Sequence, residues 1–172
     1  IMTISKIIRA IKEPKRILKY LLIKTARLFP DELYLKMLFP LRTGYKLNLK
    51  NPQTFNEKLQ WLKLNNRKAE MVKMVDKVDA KEYVANIIGE EYIIPTLGVY
   101  NSVDEIDFNK LPNQFVLKCT HDSGGIVICS DKSKLDIEAA KDKLRRGMKV
   151  NYYYQNREWP YKQVKPRIIA EQ

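Results

Sequence analysis

Lys118 closes an apolar run, Gln114-Phe115-Val116-Leu117-Lys118-Cys119, and leads straight into a polar turn, Thr120-His121-Asp122-Ser123-Gly124-Gly125. A lysine entering a glycine-bearing turn suits phosphate binding. The glycines let backbone N–H groups approach an anion, and the ammonium adds a charge. The same glycines also suit a tight turn between strands, so the pair alone leaves both uses open. Their spacing fits neither the Walker A loop nor the dinucleotide fingerprint. His121, the single histidine, either touches a phosphate from this turn or packs and caps it. Cys119 and Cys129 have no partners at metal-ligand spacing and read as core side chains. Tyr152, Tyr153, Tyr154, Trp159 and Tyr161 could stack on sugar rings or pack a long loop.

These residues need elements to hold them. Thr54-Phe55-Asn56-Glu57 reads as a capping box opening a helix whose apolar positions are Leu59, Trp61, Leu62 and Leu64. A second helix is expected over residues 71–88, stopped by Gly89. Residues 92–100 are strand-like, and Ser102-Val103-Asp104-Glu105 is another capping box. Residues 114–119 and 126–129 have the pattern of a β-hairpin with a long tip. Asp136 can cap a helix running to about Val150, and residues 167–172 form a last strand. That strand has no cap, turn or polar tail, and Ile1 precedes Met2, so the chain reads as a piece of a longer protein.

The 172 residues include 32 basic and 20 acidic side chains, a net charge of +12. The excess is local: residues 1–50 carry +9, 51–150 carry +1 and 151–172 carry +2. The charge marks off a basic amphipathic helical extension (1–50); the rest reads as a helical and α+β region (51–113) followed by the segment of the hairpin, helix and last strand (114–172). Within the extension Ile4, Ile7, Ile8 and Ile11 recur at helical spacing, and after Pro14 the stripe restarts with Ile17, Leu18, Leu21 and Leu22. Two readings stand: basic amphipathic helices on an anionic membrane surface, or helices docked on their own domain. Few aromatics interleave the basic residues, which disfavours nucleic acid. No apolar stretch approaches a membrane span, and two cysteines fit a reducing, cytoplasmic setting.

Several blocks in order carry a resemblance. The run Val75-Asp76-Lys77-Val78-Asp79-Ala80-Lys81, then Ile94-Pro95, then residues 115–127 and Ile168-Ile169-Ala170-Glu171, resemble the N-terminal half of an ATP-grasp enzyme. Asn51-Pro52-Gln53-Thr54-Phe55-Asn56-Glu57, Thr120-His121-Asp122-Ser123-Gly124-Gly125 and Arg157-Glu158-Trp159-Pro160-Tyr161 are similar to the TupA-like ATP-grasp family in particular.

The resemblance implies an α+β fold, the N-terminal part of an ATP-grasp domain, with ATP and Mg²⁺ as cofactors. It implies phosphate contacts from Lys77 and Lys118, a closing loop of Ser123, Gly124 and Gly125 beside His121, and Glu171 on the strand facing the adenosine. No catalytic residue is assigned. The metal ligands are expected beyond Gln172, so the chain alone is expected to be inactive. The implied reaction is ATP-dependent ligation in cell-surface polysaccharide assembly, with a polysaccharide or lipid-linked sugar as acceptor. A sugar transferase is the alternative, although the Asp-X-Asp pair such enzymes use is absent from the chain. A non-catalytic membrane-binding module is the other.

Overall fold

A computed structural model describes residues 14–122 and 124–172, which divide into two compact units. The described residues up to Arg67 join Tyr153–Trp159 in the first; Lys68–Tyr152 and Pro160–Gln172 make the second. The first of the two expected N-terminal helices, with Ile4, Ile7, Ile8 and Ile11, lies outside the described residues, as does Ser123.

The first unit is helical. Helix α1 (Pro14–Lys24) starts on a proline, which suits a first helical position. A 3₁₀ turn (Ala26–Leu28) leads to α2 (Asp31–Thr43). Sequence reading passed over α2, yet its signals are ordinary: Asp31 and Glu32 in the first turn favour the helix dipole, and Gly44, at φ +84°, closes the end with its N–H on Pro40 O. Tyr34, Leu35, Leu38 and Phe39 form its buried face. Pro40 inside the helix obscures the pattern.

Helix α3 (Phe55–Asn65) has the expected capping box: Thr54 Oγ1 accepts from Glu57 N, and Glu57 Oε2 accepts from Thr54 N at 3.0 Å. Glu57 also accepts from Asn48 N and Gln53 N, so its buried carboxylate is satisfied by backbone donors that hold it below the usual carboxylate range. The core of this unit gathers Leu22, Ala26, Tyr34 and Leu38, with Phe29, Met37, Leu41 and Tyr154 against them.

The second unit is a four-stranded antiparallel sheet with helices, an α+β arrangement. The helix expected over 71–88 is two: α4 (Glu70–Val75) and α5 (Lys77–Ile88). Asp76 breaks the run because its Oδ1 accepts from Val78 N and Asp79 N, at 2.8 and 3.1 Å, which makes it the N-cap of α5. Gly89, at φ +107°, ends that helix. Strand β1 begins only at Thr96 (Thr96–Tyr100), after a 3₁₀ turn at Glu90–Tyr92 and Pro95. Ser102 makes no side-chain cap; Glu105 accepts instead from Asn101 N.

Strands β2 (Phe115–Cys119), β3 (Ile126–Cys129) and β4 (Ile168–Glu171) complete the sheet in the order β1-β4-β2-β3. The last strand in sequence is therefore central. One face carries Phe115, Leu117, Cys119, Val127, Cys129, Ile168 and Ala170 into a core with Ala140 and Leu144 of α6 (Ile137–Met148), which Asp136 caps through Ala139 N. The pairing lines the other face with two rows: Thr96, Glu171, Val116 and Ile128, then Val99, Ile169, Lys118 and Ile126. Lys118 and Glu171 thus share the face that α6 does not cover.

Candidate functional site

Lys118 pairs across the ladder with Ile169, and Val116 with Glu171, so lysine and glutamate meet on the diagonal. Lys118 Nζ lies 2.5 Å from Glu171 Oε2. Lys81, one turn into α5, reaches the other oxygen: its Nζ is 2.5 Å from Oε1 and also donates to Ile94 O and Thr96 Oγ1. Burial pushes the Glu171 carboxyl up, but hydrogen bonds and charge from Lys118 and Lys81 outweigh it and leave the group below the ordinary carboxylate range. Glu171 is almost wholly buried, whereas the Lys118 side chain keeps 28 % of its surface exposed. The lysine is the member of the pair that a ligand could reach.

Lys77 sits at the first position of α5. Its Nζ donates to Cys119 O (2.8 Å), Thr120 O (3.3 Å) and Asp122 O, and its N–H to Thr120 O. One ammonium thus gathers the carbonyls at the root of the polar turn. Burial lowers its pKa, Asp122, Cys119 and Asp76 partly oppose that, and the charge of Lys118 lowers it further. Arg167 braces the same root: its Nη2 donates to Asp76 Oδ1 and Asp79 Oδ1 at 2.8 and 2.6 Å, and its carbonyl accepts from Thr120 N.

The turn itself is tightly packed at one glycine and open at the other. Asp122 Oδ2 accepts from Gly125 N at 2.7 Å, and a Cβ on Gly125 would stand 2.5 Å from that oxygen and 2.9 Å from Cys119 Sγ. At Gly124 a Cβ would meet only Tyr152 Oη, at 3.3 Å. We expect Gly125→Ala to lower the unfolding free energy by about 1–3 kcal/mol, the usual range for overpacking, and Gly124→Ala to leave it nearly unchanged. Urea titration of both variants checks this. Cys119 is packed rather than reactive, its thiol pushed up to about 12, by burial first and the Asp122 charge second.

His121 faces inward. Its Nε2 is 3.0 Å from Val150 O, its Nδ1 has no partner among the described residues, and the ring is 3 % exposed. Burial lowers the imidazole pKa, with smaller opposing contributions from Asp122 and from backbone contacts to Val150 and Gly147. The folded state thus holds the ring neutral, and acid protonates the unfolded chain first. Stability should fall as pH drops below the ordinary value of 6.5. Unfolding free energies measured at about pH 7.5 and 5.5 should differ, and His121→Gln should shrink the difference.

Sequence reading named Lys77, Lys118, His121, Gly124, Gly125 and Glu171; the structure sets Lys118 against Glu171 and Lys77 against the turn that holds His121. It missed Lys81, Asp76 and Arg167. The signal for Lys81 was available, because Lys77 and Lys81 stand four apart on one helical face. Of the aromatics weighed for sugar stacking, Tyr153 donates to Asp31 and packs edge-on against Tyr154 in the first unit, while Tyr152 and Tyr161 form a tilted pair in the second. Among the described residues no three His, Cys, Asp or Glu side chains gather where they could hold a metal ion.

The arrangement is a partly exposed, partly apolar sheet face bearing one reachable ammonium, next to a glycine turn whose root is gathered by a second, that of Lys77. Such groups have the chemistry to take an anion such as a phosphate. Compared with known proteins, residues 57–172 match the family model described as TupA-like ATPgrasp. No curated protein and no solved structure matches the chain.

Proposed function

Because the chain belongs to the TupA-like ATP-grasp family, we propose that its second unit binds ATP, with Lys118 and Lys77 at the phosphates and the turn ending in Gly124 and Gly125 covering them. The observation that carries this reading is Lys118 itself, a partly exposed ammonium held by a buried carboxylate on the sheet face away from α6. Phosphate can draw the lysine away because Glu171 keeps a second cation, Lys81. Glu171, on the strand expected to face the adenosine, sets where Lys118 points. His121 anchors the root of the turn through Val150.

In the reaction we assign, a carboxylate oxygen attacks the γ-phosphorus of ATP and ADP leaves; an amine or hydroxyl then attacks the acyl carbon and phosphate leaves, giving an amide or ester. The chain's own lysines would hold and neutralise the phosphates. Among the described residues no group of three acidic, His or Cys side chains gathers to hold Mg²⁺. By family resemblance, the acceptor is a saccharide or lipid-linked sugar of cell-surface polysaccharide assembly, in the cytoplasm. Among the described residues no helix is long and apolar enough to cross a membrane.

Calorimetric titration separates this from the sugar-transferase alternative. ATP should bind and a UDP-sugar should not. Tight binding of the UDP-sugar without ATP would overturn the ligase reading.

A further inference from the structure

Helix α1 and the turn after it carry more apolar surface than they bury. Leu22 and Ala26 enter the core beside Tyr34 and Leu38. Ile17, Leu18, Leu21 and Leu28 do not: they are 38, 55, 52 and 77 % exposed. At helical spacing Ile17, Leu18 and Leu21 lie on the sector next to Leu22, so the apolar stripe is wider than the contact it makes. Docking on its own unit accounts for Leu22 and leaves the rest of the stripe without a purpose.

The flanks of the stripe are basic. Residues 14–30 contain Lys15, Arg16, Lys19, Lys24 and Arg27 and no acidic residue. We propose that α1 and the Ala26–Leu28 turn form an interfacial foot on an anionic lipid bilayer. Ile17, Leu18, Leu21 and Leu28 enter the headgroup boundary, and the surrounding lysines and arginines lie against lipid phosphates. A nucleic acid would satisfy the cations and offer nothing to the leucines. A second copy would bring two acid-free basic stripes together. Only an anionic surface with an apolar interior complements both features at once.

The foot is also fixed. Arg157 Nη2 donates to Ala26 O at 2.5 Å and to Phe29 O at 2.9 Å, clamping the C-terminal end of the foot to its own unit. The face offered to lipid is therefore set by the fold rather than by a free tail.

Vesicle co-sedimentation of the whole chain tests this, with Leu18→Glu/Leu21→Glu as the variant. Both residues are exposed, so the variant should keep its circular dichroism and melting temperature. The wild type should sediment with phosphatidylcholine vesicles containing roughly a third phosphatidylglycerol, less so at high salt, and far less with phosphatidylcholine alone. The variant should bind at least about tenfold more weakly, whereas Ile128→Glu, at an exposed strand position in the other unit, should bind as the wild type does. Three results would overturn the proposal. The wild type could fail to sediment with anionic vesicles. The double variant could bind as well as the wild type, which would mean charge alone. Or the double variant could lose melting temperature with its vesicle binding unchanged, which would mean that the leucines are packed rather than offered to lipid.

Discussion

Lys118→Ala is expected to weaken ATP binding by about 10- to 150-fold, the value of one charge-assisted hydrogen bond of roughly 1.5–3 kcal/mol, while the second unit stays folded. The fold should survive because Glu171 keeps Lys81 as a partner on its other oxygen. Lys81→Met should also weaken ATP, by a different route. It leaves Lys118 as the one cation on a buried carboxylate, so phosphate must compete with an otherwise unpaired charge. Glu171→Gln in the Lys81→Met background should restore binding, since the competing charge is gone. Calorimetry on the four proteins reads this out. ATP binding unchanged in Lys118→Ala would end the phosphate assignment, whereas Lys118→Ala weakened with no effect of Lys81→Met would keep the site and discard the competition.

The same cluster has an acid limit. Glu171 titrates below its ordinary value of 4.5 in the folded chain. Its contribution to stability is complete above that pH and disappears as pH falls through the lower folded value. Acid unfolding of the second unit should therefore shift when Glu171 becomes Gln, whereas ATP affinity near neutral pH should not respond to small pH changes through this group.

Much of this was legible in the sequence, and what was not has identifiable causes. The α3 capping box and the Asp136 cap were readable because a cap depends on a few adjacent residues. Lys118 and Glu171 were singled out separately, through ordered family blocks, yet 53 residues separate them in sequence, and their pairing depends on β4 inserting between β1 and β2. No local pattern encodes that register. The split at Asp76 was missed because apolar periodicity runs through residues 71–88 and outweighed an aspartate that caps its own backbone. Helix α2 was passed over because Pro40 sits in its last turns, where the freed position is tolerated.

The largest stability effect should come from a residue that sequence reading quoted only as part of a motif. Arg157 is 2 % exposed and adopts φ 57°, the one non-glycine residue at positive φ among those described. Its guanidinium donates to Ala26 O and Phe29 O, stands 3.1 Å from Asp31 Oδ1, and lies over the Tyr34 ring at 4.1 Å from the centroid. Tyr153 and Tyr154 flank it at 5.1 and 5.6 Å. Arg157→Met keeps much of the volume but takes the guanidinium donor from Ala26 O and Phe29 O and removes a cation from Asp31, which then depends on Arg67 and the Tyr153 hydroxyl. Hydrogen bonds from a charged, buried group contribute about 1.5–3 kcal/mol each, so losing these is a large part of the stability of a small helical unit. Arg157→Lys should recover little of it, because a single ammonium cannot serve two carbonyls and a carboxylate while stacking flat on tyrosine. Denaturant unfolding followed by the fluorescence of Trp61 and Trp159, both in the first unit, should show that unit's midpoint lowered in both variants. A wild-type midpoint in Arg157→Met would mean that the tyrosines alone close this core, and that the foot on α1 is held by Leu22 and Ala26 without the clamp.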